Sequence, residues 1–382
     1  SFKEVELNMT EAEAQVESER CLQCGVCSEC LECLVACERG AINHDMPDER
    51  LDLQVGTIIL ATGFKDFDPV RIPELNYGKY PNVLTAPEFE RLINASGPTS
   101  GKVLLKNGKP PKSVAIIHCV GSRDARYHEY CSRACCMYSL KLSQLVHEYV
   151  GAEVHEIYRD MRSFGKGYEE FYNRTEKMGV HFYHGKVTSI RKKGSRLVVN
   201  WDESFHNQPD QVEVEMVVLA TGFEPRADAG VVAAQLGISR SRDGFFLERH
   251  PKLAPVETTS EGIYLAGACQ SPKDIPDSVA QAGAAAAAAL SLMDQGTIEL
   301  DPSIAEVNTL LCAGCGQCVS ACPYKAIELE TSVAKVNGFS CKGCGTCAAA
   351  CPNKAVSLIH YNDLELVSEL IGLLAVELVE DK

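Results

Sequence analysis

Residues 113–146 read SVAIIHCVGSRDARYHEYCSRACCMYSLKLSQLV. The stretch opens as an apolar run, Ser113–Ile117, with the composition of a buried strand, and closes as a helix-like run, Met137–Val146. A strand, a tight loop and a helix is where a nucleotide-binding fold carries G-x-G-x-x-G and holds a pyrophosphate on the helix N-terminus. Here the loop His118–Cys136 has one glycine, Gly121, and four cysteines, Cys119, Cys131, Cys135 and Cys136. On either side stand near-copies of one phrase, ILATGF at 59–64 and VLATGF at 218–223. The pattern predicts an α/β body of the dinucleotide-binding type in which a metal site has replaced the phosphate cradle.

The rest of the chain is read around that stretch. At 382 residues and 45% hydrophobic, it has the length for two or three domains with proper cores. A net charge of −15 argues against nucleic acid and against an anionic membrane surface. No apolar run is long enough to span a bilayer, and the 19 cysteines fall in C-x-x-C clusters. That spacing favours iron–sulfur ligation over disulfides or zinc and implies a reducing cytoplasm.

In chain order, Thr10–Glu13 forms a capping box for a short acidic helix. It leads to Cys21, Cys24, Cys27, Cys30, Cys33 and Cys37, six thiols where one cubane needs four. The last four keep the ferredoxin spacing without a proline after Cys37. Residues 1–50 are therefore a cysteine-rich cluster segment, and a second cluster there needs borrowed ligands. Residues 51–64 predict a buried strand (Val55, Ile58, Ile59, Leu60) ending at Thr62-Gly63, and 65–112 a connection with one helix, 86–95; together, 51–112 is part of a flavin domain. Residues 113–224 predict an α/β unit with strands at 153–158, 180–183, 186–190, 197–201 and 212–220, the last ending at Thr221-Gly222. Arg159 and Arg162 after the second strand suit either a 2′-phosphate or a solvated turn, the turn being favoured without a glycine loop.

Residues 225–300 return to the first fold. A short strand ends at Gly267-Ala268, and Asp277 or Ser278 caps an alanine-rich helix, Val279–Met293, whose positive end suits an electron-rich part of a flavin. Thr62, Gly63, Thr221, Gly222, Gly267, Ala268, Asp277, Ser278 and Val279 are thus the candidate cofactor contacts. Cys269 stands alone and reads as a buried small hydrophobe. After a linker, 301–311, the domain at 301–382 repeats one motif: Cys312, Cys315, Cys318, Cys322-Pro323, then Cys341, Cys344, Cys347, Cys351-Pro352. In such a module the fourth cysteine of each run serves the other cluster. The apolar face of the tail, 363–379, is expected to pack on its own domain, a partner surface being the alternative.

The combination resembles the A-type subunits of heterodisulfide reductase. The matching residues are Arg20–Gly25, Ile59–Phe64, Cys119–Asp124, Tyr130–Met137, Gly165–Gly167, Pro272–Ser278 and the ferredoxin repeat. The resemblance implies a thioredoxin-reductase-like body with two dinucleotide-domain halves, FAD as the central cofactor, and a [4Fe–4S] cluster on Cys119, Cys131, Cys135 and Cys136. It also implies that Lys141 lies near the flavin. Counted together, four clusters are expected, or five if the first segment holds two.

Two departures matter: no strand with G-x-G-x-x-G precedes Cys21, and Gly267-Ala268 stands where many flavoprotein reductases have Gly-Asp. The chain then reads as the latter part of such a polypeptide, its ADP-binding half supplied by another polypeptide or absent from this chain. The resemblance implies B- and C-type subunits, a hydrogenase or formate dehydrogenase as electron source, ferredoxin as acceptor, a dimer of the complex and flavin-based electron bifurcation. The competing readings are a non-bifurcating cluster relay and an NADPH-dependent reductase resembling the glutamate synthase small subunit.

Overall fold

The computed structural model describes residues 10–13, 37–43, 49–95, 99–203, 209–297 and 302–380, with the single positions 15, 34, 47 and 97. They fall into two compact units, Ser1–Asp52 with Asp66–Phe223, and Leu53–Lys65 with Glu224–Lys382. Of the six early cysteines only Cys37 lies within the described residues. The capping box ahead of them forms as expected: the Thr10 N–H donates to Glu13 Oε2 at 2.8 Å, and the Glu13 N–H to Thr10 Oγ1 at 3.3 Å.

The first strand among the described residues, β1 (Ile58–Leu60), belongs to the second unit. The sheet of the first unit takes up the chain at β2 (Val83–Thr85), followed by α1 (Ala86–Ile93), where Thr85 and Glu88 form a second capping box. Then follow β3 (Ser113–Val120), α2 (Cys135–Leu145), β4 (Glu153–Tyr158) and α3 (Tyr168–Lys177). A meander of β5 (His181–Lys193), β6 (Arg196–Glu203) and β7 (Pro209–Val214) leads to β8 (Met216–Thr221). These strands make one sheet of order β2-β8-β3-β4-β5-β6-β7. Pairing is parallel from β2 to β5 and antiparallel through the meander.

β3 runs through the middle and is apolar on both faces, as a parallel strand covered on both sides must be. Its alternate residues divide between two cores. Ala115, Ile117 and Val120 join Ile157, Trp201, Val217 and Leu219 on one face. Val114 and Ile116 join Phe89, Leu142, Val154 and Val218 on the other.

In the second unit, β1 pairs in parallel with β9 (Ile263–Leu265), following α4 (Ala229–Leu236). The long helix α5 (Ile275–Gln295) packs Ala285 and Ala289 against Tyr264 and Ala266. The cysteine-rich domain is built twice over. β10 (Ala305–Val307) and α6 (Gln317–Ala321) precede β11 (Ile327–Glu330) and β12 (Val333–Val336). The helix α7 (Thr346–Ala350) and β13 (Val356–Leu358) follow, with β10 against β13, β11 against β12, and the tail helix α8 (Asp363–Glu380) last.

Several expectations are corrected. The buried strand expected over 51–64 shrinks to β1, with Val55 and Ile59 exposed. Residues 65–112 are more than a connection, because β2 pairs with β8 and Phe89 fills the second core. The strands expected at 180–183 and 186–190 are one continuous strand, while 212–220 is two, broken at Glu215. The alanine-rich helix starts earlier than expected, capped by Asp274, whose Oδ1 accepts from the Asp277 N–H at 3.0 Å; Pro276 fills the first turn. Residues 305–307 of the expected linker are the strand β10. The tail helix leaves Leu364, Val367, Leu370, Ile371 and Leu374 exposed. No helix among the described residues is long and apolar enough to cross a membrane.

Trp201 is 2% exposed and its ring lies 4.9 Å from that of Tyr183. Trp201→Ala is expected to destabilise the first unit by about 3–5 kcal/mol, read from hydrogen exchange of β5–β7 amides. Leu253→Ala, at an 84% exposed position of the second unit, should stay within about 0.5 kcal/mol.

Candidate metal centres and flavin site

The cysteine loop leaves β3 through a break in the sheet register between Ile117 and Val120. Such an irregularity re-aims a side chain at a strand end. Cys119 there has φ +58°, and Arg123 and Arg133 follow at +56° and +60°. Left-handed backbone at a non-glycine residue costs about 1 kcal/mol or more, so three in one loop need support from around them.

The support comes from the second ATGF phrase. The Gly222 N–H donates to Val120 O at 2.8 Å and the Phe67 N–H to Gly222 O at 2.8 Å. Ser122 and Ser132 bond through their hydroxyls at 2.6 Å, Ser132 Oγ accepts from the Phe223 N–H at 2.8 Å, and Tyr130 donates to Phe223 O at 2.8 Å. Two glycines are required by contact. A Cβ on Gly121, at φ +80°, would meet the Phe67 ring at 2.2 Å, and one on Gly222 would meet Ser122 Oγ at 2.2 Å.

Cys135 and Cys136 open α2 and are buried; Cys119 and Cys131 are partly covered. All four thiols interact electrostatically. Burial pushes Cys119 up to about 11, helped by Cys136 and Cys131 and opposed by Arg123 and Arg159. Burial holds Cys135 well above its usual range. Burial works against ionising Cys136 too, but His118 beside it pulls it below the ordinary thiol value. Four crowded thiols resist losing their protons together unless positive charge sits among them, which a metal centre supplies. The donor set therefore fits an iron–sulfur cluster. A cleft at the C-terminal end of β3, lined by His118, Cys119, Gly121, Ser122, Arg159 and Lys186, adjoins it. Arg159 is not a solvated turn residue, since its guanidinium donates to Arg123 O.

Behind these thiols lies a buried pair. His118 Nε2 is 2.8 Å from Glu156 Oε2, with both side chains fully buried, and Ser143 donates to Glu156 Oε1. Burial opposes charging His118, but Cys136 and Glu156 prevail and raise its pKa to about 10. Nothing in the spacing of the cysteines pointed to this pair. The one available signal was a glutamate inside the strand EVHEIY, 153–158.

In the C-terminal domain the cysteines surround two cavities. One is lined by Cys312, Cys315, Cys318 and Cys351, the other by Cys322, Cys341, Cys344 and Cys347. The grouping is crossed, the fourth cysteine of each run lining the other run's cavity. Among the described residues no three such donors close on one point as a single metal ion needs. The sulfurs instead accept backbone N–H groups in matching pairs: Cys312 from Ala334 at 3.4 Å and Cys341 from Ala305 at 3.3 Å, Cys322 from Ala326 at 3.3 Å and Cys351 from Ala355 at 3.2 Å.

The same turn recurs at Cys37. Its sulfur accepts from the Ala41 N–H at 3.3 Å, four residues on, and the residue before that alanine is left-handed in all three cases: Gly40 at +58°, Lys325 at +52° and Lys354 at +49°. The sequence carries this as Cys-x3-Ala in 37–41, 322–326 and 351–355, a signal hidden by the missing proline. Cys21, Cys24, Cys27, Cys30 and Cys33 lie outside the described residues.

The candidate flavin contacts divide between the units. Thr221 and Gly222 are in the first; Thr221 is buried and its Oγ1 donates to Asp66 Oδ1 at 3.3 Å. Thr62, Gly63, Gly267, Ala268, Asp277, Ser278 and Val279 are in the second. There β1 and β9 run parallel into Gly63 (φ +74°) and Gly267 (φ +75°), and the Gly267 N–H donates to Gln281 Oε1 of α5 at 2.8 Å. Parallel strand ends beside the start of a 21-residue helix fit a flavin phosphate or ring edge. Lys141 lies on the exposed side of α2. Cys269 is buried, and its thiol donates to Leu60 O and Ala266 O at 3.1 and 3.2 Å, as a neutral packing residue does.

The pyridine nucleotide-disulphide oxidoreductase family matches residues 136–287, and the 4Fe-4S dicluster domain family matches 305–352. The A-type subunit of H(2):CoB-CoM heterodisulfide,ferredoxin reductase from Methanothermobacter marburgensis is 45% identical over 318 residues, 82% of this chain and 47% of that protein. Over most of its length the chain is a homologue of the A-type iron–sulfur subunits of heterodisulfide reductase. One of the A-type iron-sulfur subunits of CoB–CoM heterodisulfide reductase in Methanopyrus kandleri is 48% identical over 75% of the chain and 44% of its own length. The corresponding subunit of a ferredoxin/F(420)H(2)-dependent CoB-CoM heterodisulfide reductase from Methanosarcina acetivorans is 40% identical over 81% of the chain and 39% of its own length. The chain spans about half the length of the first two relatives. Its cofactors are [4Fe–4S] clusters and FAD, and its body is that of an oxidoreductase.

The crossed cavities give a spectroscopic prediction. Cys351→Ala should abolish the same EPR signal as Cys315→Ala and leave intact the signal lost in Cys344→Ala. A shared loss in Cys351→Ala and Cys344→Ala would reject the crossed grouping.

Proposed function

We propose that the chain is an electron-transfer subunit of a heterodisulfide reductase-type complex, passing electrons between FAD and several [4Fe–4S] clusters. The observation that carries this reading is the set of Cys119, Cys131, Cys135 and Cys136 where the fold otherwise cradles a nicotinamide dinucleotide. It speaks against the NADPH-dependent reductase, which needs that cradle for its hydride donor. FAD, when bound, exchanges electrons in pairs or singly, and the clusters carry them singly.

Within that reading each set of residues has a task. Cys119, Cys131, Cys135 and Cys136 hold the central cluster; the crossed sets Cys312, Cys315, Cys318, Cys351 and Cys341, Cys344, Cys347, Cys322 hold two more. Cys21, Cys24, Cys27, Cys30, Cys33 and Cys37 hold a fourth, and a fifth if ligands are borrowed. The Cys37 turn supports this, since it matches those of Cys322 and Cys351. The backbone N–H groups on the sulfurs favour the reduced, more negative clusters. Thr62, Gly63, Thr221, Gly222, Gly267, Ala268, Asp277, Ser278 and Val279 border the flavin, with Lys141 near it.

The partners that suit such a chain are B- and C-type subunits, a hydrogenase or formate dehydrogenase feeding electrons in, and ferredoxin, assembled as a dimeric complex in the cytoplasm. The flavin divides an electron pair between a high-potential acceptor and ferredoxin. A relay that only wires clusters together is the alternative.

Iron and FAD content, measured anaerobically with and without the native partners, test the reading. Four clusters predict about sixteen irons per chain and five predict about twenty, at four irons per cluster. FAD retained only with a partner supports a divided flavin site, and FAD absent from both preparations rejects the flavin role. For bifurcation, ferredoxin reduction should stop when the high-potential acceptor is withheld; steady reduction without it leaves the relay.

A further inference from the structure

The helix α2 presents Cys136, Ser139, Leu140 and Ser143 to the sheet, one face at helical spacing. Beneath it, β3 and β4 pair with Ile116 opposite Glu156, so His118 and Glu156 share a face on neighbouring strands. A carboxylate with no exposed surface in a sheet interior is costly unless a cation and hydrogen bonds answer it. Glu156 has both: His118 at 2.8 Å and the Ser143 hydroxyl. Whether an imidazolium donates at Nε2 to a carboxylate or the neutral ring accepts there from a protonated Glu156, this pairing leaves an N–H on Nδ1. Nδ1 is fully buried and has no hydrogen-bond partner of ordinary geometry. Cys136, at the start of α2, lies buried on the same helix face that brings Ser143 to Glu156, and its thiol interacts with the His118 ring.

We propose that His118, positioned by Glu156 and Ser143, donates a hydrogen bond from Nδ1 to the Cys136 thiolate of the central cluster and sets that cluster's reduction potential. This rests on the reading of Cys119, Cys131, Cys135 and Cys136 as its ligands. Reduction adds one negative charge to the cluster, so a donor at a ligand sulfur stabilises the reduced state and raises the potential. Glu156 is a positioning residue that acts through His118. The bland reading, a pair that only pins α2 to the sheet, predicts no change of potential.

Two substitutions separate the ring nitrogens. His118→Gln places its amide nitrogen near the Nε2 position, keeping a partner for Glu156 while removing the donor to Cys136. His118→Asn places its amide nitrogen near the Nδ1 position and keeps that donor. The readout is an EPR-monitored redox titration of the full chain with its native partners, at one fixed pH. The signal followed is the one lost in Cys131→Ala.

In His118→Gln the reduced fraction at a given potential should fall about tenfold, a drop of about 59 mV for one electron. His118→Asn should recover more than half of that shift. In wild-type protein labelled with 15N-histidine, the same signal should show a histidine nitrogen hyperfine coupling. An unchanged potential in His118→Gln, equal shifts in both variants, or no nitrogen coupling each overturns the proposal while leaving the cluster in place. If no signal depends on Cys131, the ligand reading itself fails and the proposal with it. Should His118→Gln fail to fold, the nitrogen coupling of the wild-type protein decides alone.

Discussion

The central site depends on β3 being paired on both edges. Parallel neighbours β8 and β4 fix its register, and cores on both faces fix which residue looks which way. A slip of one residue would turn every side chain to the opposite face, so the register is strongly specified. His118 and Cys119 are the first positions past that locked segment, inside the break that precedes Val120. The sheet thus delivers a histidine and a thiol to fixed points, and the loop that follows is held by Phe67, Gly222 and the Ser122–Ser132 pair. The left-handed residues Cys119, Arg123 and Arg133 persist because this scaffold over-determines them.

Charge works differently at two scales. The chain as a whole is strongly acidic, at −15. Around the central thiols the local balance is reversed, with Arg123, Arg159 and His118 all favouring thiolate. The cysteines also sort by what their sulfurs do. Cys269 donates to two carbonyls, whereas Cys37, Cys131, Cys312, Cys322, Cys341 and Cys351 accept backbone N–H groups. Acceptance from N–H stabilises a thiolate, and close donation to two carbonyls suits a packed neutral thiol. Cys135 and Cys136 face carbonyls as well, Thr221 O and Asp160 O, at a longer 3.8 Å, so at the central site the crowding of four thiols, and not the hydrogen bond alone, marks the ligand candidates.

The strand–loop–helix at 113–146 and the crossed ferredoxin repeat were legible in the sequence because each is written locally. A continuous apolar run means a doubly covered strand, and fixed cysteine offsets mean a cluster loop. What stayed hidden was set by distant contacts. β2 looked like connection because three residues carry no period; its strand character comes from pairing with β8, more than 130 residues away. α3, with its run of charged residues, gave no apolar stripe to read. The start of α5 was obscured because Asp277 and Ser278 are themselves good caps, and only the backbone bond to Asp274 identifies the real one. The tail helix has the apolar face that its pattern promised, but a pattern says nothing about what will cover it. The His118–Glu156 pair joins two strands through a contact that no single segment displays.

The two ATGF phrases show how far one local pattern constrains its use. Each ends a strand in a parallel pair, so the shared wording correctly marks equivalent places in two related sheets. Their surroundings have diverged. At Gly222 the missing side chain is filled by Ser122, and the backbone on either side is bound to Val120 and Phe67. At Gly63 a Cβ would meet nothing within 4 Å, and the backbone is left-handed at +74°. The first glycine is therefore required by close packing under the cysteine loop, the second by backbone conformation alone. One strand end is thus closed by the protein's own side chains under the cysteine loop, and the other is open at its glycine among the described residues. The sequence repeats the phrase, and the Ser122–Ser132 pair packed on Gly222 has no counterpart at Gly63 among the described residues.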